Sequence, residues 1–168
     1  MTYLEIVNRV LRRLREAEVS TVSANSYSTL IGDLVNSIKS EVENSYNWSV
    51  LRQTLTATTS NDLFNYVLDG AGTRFKVIDV VNDTSNWFMK ERSLTWFNTQ
   101  FLLVTPQKGA PMYYNFNGVD ANGDTQVDVF PIPNGNYALR FNVVLPQADL
   151  VNDSDVIQVN GQLVVEVL

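Results

Sequence analysis

The stretch from Tyr27 to Trp48 constrains this chain more than any other. Tyr27, Leu30, Ile31, Leu34, Val35, Ile38, Val42 and Tyr46 recur every three or four residues, the spacing of one apolar stripe on an α-helix. At about 1.5 Å per residue, about 20 residues make a rod of about 30 Å. Ser26 stands where it can cap the start. Asn47-Trp48-Ser49 breaks the period, and everything beyond reads as strands and turns. The stripe is wider than one short partner helix needs. The line Leu30, Leu34, Ile38 is therefore expected to be core, and Trp48 to pack at the helix-to-strand junction.

A shorter helix precedes it. Thr2 and Glu5 have capping-box spacing, and Leu4, Val7, Leu11 and Leu14, widened by Val10, form an apolar seam. The opposite face carries Arg9, Arg12, Arg13 and Glu16. Glu18 to Asn25 is polar and reads as a loop, so the two helices make an antiparallel hairpin. The arginines suit either a solvated face or contact with an acidic neighbouring subunit. On the second helix, Asp33 and Glu41 lie on the polar flank where such arginines could dock. Arg9, Arg12, Arg13, Asp33 and Glu41 are thus the candidate inter-subunit residues.

From Leu51 the period changes to that of strands. Leu51–Thr59 and Phe64–Leu68 read as a first hairpin, and Phe75–Val81 pairs back onto Trp87–Met89. The segments Ser93–Phe97 and Phe101–Thr105 are short and apolar, and either could hold a helical turn. Strands follow around Met112–Phe116, Gln126–Phe130 and Tyr137–Leu145, with turn signals between them. Leu163–Leu168 reads as the start of an apolar helix. The expected fold class is α+β: a helical hairpin over residues 1–49, then an antiparallel sandwich or barrel-like domain over residues 50–168.

Composition removes whole classes of function. The 168 residues include neither cysteine nor histidine, which excludes disulfides, thiolate and imidazole metal sites, and histidine-based triads. No enzyme activity and no cofactor are expected. No apolar run approaches the roughly 18 residues of a membrane span, so no membrane partner is expected. The net charge is −6, and residues 109–168 hold seven acids against Arg140 alone. An acidic body argues against wrapping DNA through its phosphates, but it suits a wall past which DNA slides.

Two loops and one strand invite closer reading. Asp120, Asn122 and Asp124 resemble the opening of a calcium loop, but the place of the closing Glu is Pro131. Asp149, Asp153 and Asp155 form a second acidic loop. Both read as solvated turns. Tyr113, Tyr114 and Phe116 could line a glycan-binding face, so a non-enzymatic β-sandwich module for glycans or a coat protein is the alternative function. Alternation divides these rings between core and sheet surface.

Three stretches carry a resemblance to a family. They are YLEIVNRVLRRL (Tyr3 to Leu14), LVNSIKSEVE running on to WSVLR (Leu34 to Arg52), and GAPMYY followed by VFPIP (Gly109 to Tyr114 and Val129 to Pro133). In this order they resemble the head-to-tail adaptor proteins of short-tailed bacteriophages, the head-completion or tail-tubular A type. The resemblance implies a non-enzymatic virion protein at the head–tail junction, made in the host cytoplasm. It implies a ring, generally of twelve copies, between the portal protein and the tail nozzle protein. Such a ring extends the DNA channel, lets DNA pass without sequence-specific binding, and helps retain the genome. Family members often continue into carboxy-terminal helices that grip the portal, and Leu163–Leu168 stands where such a helix would begin.

Overall fold

A computed structural model describes residues 1–168. The chain forms two compact units, one of residues 1–51 and 146–168, the other of residues 52–145. The first unit holds helices α1 (Tyr3–Arg13), α2 (Ser26–Ser45) and α4 (Gly161–Val167). The second holds strands β1 (Arg52–Thr58), β2 (Asn65–Val67), β3 (Lys76–Asn82), β4 (Trp87–Phe88), β5 (Lys90–Glu91), β6 (Tyr113–Val119), β7 (Thr125–Phe130) and β8 (Ala138–Val144), with helix α3 (Leu94–Phe101) between β5 and β6. The α+β class is as expected.

Helix α1 starts as its capping box dictates. The Thr2 hydroxyl accepts from the Glu5 amide at 3.3 Å, and the Glu5 carboxylate accepts from the Thr2 amide at 2.8 Å. Helix α2 is capped one residue earlier than expected. Asn25 rather than Ser26 accepts from the Ser28 amide at 2.8 Å, while the Asn25 amide donates to the Ser28 hydroxyl at 3.2 Å. Asn leads the N-cap preference because its side-chain oxygen reaches the orphan amides of the first turn.

Residues 146–168 pack with the helices, not with the strands as the 50–168 boundary implied. Thr2 bridges Val156, the Tyr3 amide donates to the Asp155 carbonyl at 2.8 Å, and the Ile157 amide donates to the Met1 carbonyl at 3.1 Å. Asn36 exchanges two hydrogen bonds with the backbone of Leu150, at 3.0 and 2.8 Å. Leu150, Ile157, Val159, Val164 and Val165 are buried with Tyr3, Ile6, Val7, Val10, Leu11, Ile31 and Val35 in this unit. The physical reason is apolar area. Two helices cannot enclose a core by themselves, and the carboxy-terminal segment closes it.

The second unit is a sandwich of two four-stranded sheets, ordered β1-β8-β3-β4 and β2-β7-β6-β5. All pairs are antiparallel except β5 with β6. Val80, Leu139, Phe141 and Val143 from one sheet meet Tyr66, Tyr114, Val127 and Val129 from the other in a shared core. The hairpin of β3 with β4 is as the turn signals imply. The hairpin expected between β1 and β2 does not form, because each pairs with a distant strand: Arg52–Thr58 with β8 and Asn65–Val67 with β7. The segment after β5 is helical. Trp96, Phe97 and Phe101 of α3 pack edge-on against Phe130, with centroids 5.4, 6.4 and 6.0 Å apart.

Candidate assembly surfaces

The wide stripe of α2 divides. Ile31 and Val35 are buried and Val42 is half-buried, but Leu30 is 52 % exposed, Leu34 is 41 % exposed, and Tyr27 also faces out. Ile38 is half-buried. The line Leu30, Leu34, Ile38 is therefore not the core line. The helix is rolled so that Ser28, Gly32, Lys39 and Glu43 turn inward beside Ile31 and Val35.

Two contacts explain the roll. Gly32 leaves room for the Tyr3 ring. A Cβ there would overlap the Tyr3 hydroxyl and stand 2.8 Å from Val22 Cγ1. Lys39 is 0 % exposed, and its Nζ donates to the carbonyls of Gln147 at 2.8 Å and Ala148 at 3.3 Å, with Glu43 Oε1 3.5 Å away. Those carbonyls lie outside any strand, past the end of β8, and a buried ammonium satisfies them. The signals were a glycine inside a helical pattern and a Lys-Glu pair four apart. A close backbone approach was readable from the first.

Trp48 is half-buried, and its indole nitrogen donates to the Val42 carbonyl at 2.9 Å. It satisfies one of the last carbonyls of α2, and its ring meets Tyr46 edge-on at 5.4 Å.

The candidate interface residues are all exposed. Arg9 donates to Gln162 Oε1 at 3.1 Å, Arg12 pairs with Glu18 at 3.0 Å, and Arg13 donates to the Val165 carbonyl in the last turn of α4. A cation there suits the negative end of the helix. Arg9, Arg12, Arg13, Gln162 and Val165 line one shallow basic groove between α1 and α4. Asp33 and Glu41 lie on α2, beside and below the exposed Tyr27, Leu30, Leu34 stripe.

The carboxylates of the acidic loops accept from backbone amides, some in their own loop and some distant in sequence. Asp120 accepts from the Asn122 and Asp124 amides, both at 2.9 Å, and Asp124 accepts from the Gly72 amide at 3.0 Å. Asp153 accepts from the Val22 amide at 2.9 Å. The Asn152 and Val151 amides hold the Asp155 carboxyl below its ordinary range. No group of three or more acidic side chains is arranged to hold a metal ion. Trp96 and Tyr113 meet edge-on at 4.9 Å, and Arg92 lies over both rings. Both rings are half-buried.

The negative charge is placed differently from the reading of residues 109–168 as one body. The helical unit holds five basic and ten acidic residues, and the sandwich holds seven and eight. Asp149, Asp153, Asp155 and Glu166 all belong with the helices, so the acidic excess is theirs.

The profile of the SU10 adaptor protein family matches residues 1–167. The chain belongs to that family. No curated protein matches it. As a phage adaptor it is a structural virion protein, and the family is not a class of enzymes. An adaptor acts through its surfaces, which directs attention to the exposed faces of this one. No helix of the adaptor is long and apolar enough to cross a membrane.

Proposed function

We infer that this adaptor forms a closed ring, on the order of twelve copies, seated between the portal and the tail nozzle. The ring extends the DNA channel and helps hold the packaged genome. The observation that carries the reading is the family match, which spans residues 1–167. Charge supports it. A chain at −6 repels phosphate, so DNA passes without being gripped. The excess resides in the helical unit, which makes that unit the better suited to face DNA.

Electron microscopy of the protein mixed with purified portal tests this directly. Rings capping the portal are the expected image, and linear duplex DNA is expected to run unshifted at low salt. A protein that stays a strict monomer and ignores portal at high concentration overturns the reading.

A further inference from the structure

Helix α2 divides its apolar residues between the core, with Ile31 and Val35, and an exposed ridge. Leu30, Leu34 and Tyr27 stand in solvent while Lys39 and Glu43 are buried. At about 100° per residue, Tyr27, Leu30, Leu34 and Ile38 form one ridge, and Glu41 continues it one turn on. Asp33 borders the ridge on the side away from the core. Such a contiguous apolar ridge with an acidic margin marks a packing surface.

The same unit presents the complement elsewhere. Four of its five basic residues, Arg9, Arg12, Arg13 and Arg15, lie on or just after α1. Three of them line the α1–α4 groove with Gln162 and Val165. Arginine stems cover apolar surface while their guanidinium groups reach for carboxylates. Within the chain Arg9 and Arg12 each use one exposed contact and Arg13 one part-buried contact, which leaves donors over for a neighbour.

We propose that the Tyr27–Leu30–Leu34 ridge of one copy packs into the α1–α4 groove of the next, with Asp33 and Glu41 meeting Arg9 and Arg12. The occupant is a second copy because one chain carries both halves of a charge-complementary pair. The two faces are different, so the contact is head-to-tail and repeats from copy to copy, where a two-fold contact would stop at a dimer. The proposal rests on the ring reading above and names the surfaces that build it.

Sedimentation velocity of the full chain, with and without portal, tests it through charge exchange. One variant carries Asp33→Arg and Glu41→Arg, the other Arg9→Glu and Arg12→Glu. Each alone is expected to lose every species heavier than the monomer, because both its faces then bear one sign. Mixed in equal amounts, they are expected to recover assembly as an alternating ring. Leu30→Glu with Leu34→Glu is expected to abolish assembly while the far-ultraviolet spectrum and melting temperature hold, since both leucines are exposed in the monomer. Assembly that survives each of these changes overturns the proposed faces and leaves the ring standing. A wild type that never assembles, even on portal, overturns the ring and these faces with it.

Discussion

Lys39 carries the helical unit's main polar commitment. Its ammonium is buried among the carbonyls of Gln147 and Ala148 and the Glu43 carboxylate. Removing one member of a buried pair leaves the other charge uncompensated, so Lys39→Ala is expected to destabilise by about 3–5 kcal/mol in urea unfolding. The double change Lys39→Met with Glu43→Leu is expected to recover part of that loss, because no lone charge remains. Tyr3 gives a pH signature. Burial first, and then the carboxylates of Asp33, Asp149 and Asp153, raise its phenol above the ordinary 10.0. The folded state thus keeps a proton that the unfolded state gives up. The stability it contributes is complete below pH 10 and is lost as pH rises through the higher folded value. Tyr3→Phe is expected to flatten the fall of the urea midpoint above pH 10. Tyr66 and Tyr114, also raised by burial, add slope of the same sign.

Elements were legible in proportion to how local their cause is. The capping box of Thr2 and Glu5, the period of α2 and the turn between β3 and β4 all act over a few residues, and all were readable. Which side of α2 faces inward was not, because Tyr3, Val22, Gln147 and Ala148 decide it from far along the chain. The pairing of β1 was missed for the same reason. Leu55 lies opposite Phe141, and no local pattern reports a partner so distant in sequence. Of the candidate site, exposure of the arginines and of Asp33 and Glu41 followed from helix geometry, whereas exposure of Leu30 and Leu34 did not. Helix α3 was readable as a short apolar segment that could hold a helical turn, one of two such segments. Its anchor is Phe97, fully buried against Phe101 and Phe130. Phe97→Ala is expected to destabilise the sandwich by about 3–5 kcal/mol, with the near-ultraviolet aromatic signal reduced, as circular dichroism during denaturant titration would show.

At the scale of the molecule, the sandwich interrupts the helical unit: it occupies residues 52–145, with helical-unit sequence on both sides. Arg52 and Val144, near the two ends of that insertion, are register partners in neighbouring strands. Residues 52–145 expressed alone are therefore expected to fold with dispersed amide resonances, since their termini already meet. Residues 1–51 alone are expected to remain largely unfolded, because Leu150, Ile157, Val164 and Val165 complete their core. Nuclear magnetic resonance spectra of the two fragments check both outcomes.

The return of residues 146–168 to α1 and α2 has a consequence in time. The ribosome delivers residues 1–51 before the sandwich, yet the carbonyls that receive Lys39 and the Val156 bridge to Thr2 emerge only after it. At roughly 5–20 residues per second, the stretch between them takes on the order of 5–20 seconds to synthesise. Through that interval the nascent hairpin has both its leucine ridge and its core face uncovered. The α1–α4 groove and the closed core are complete only once residues 146–168 have been made.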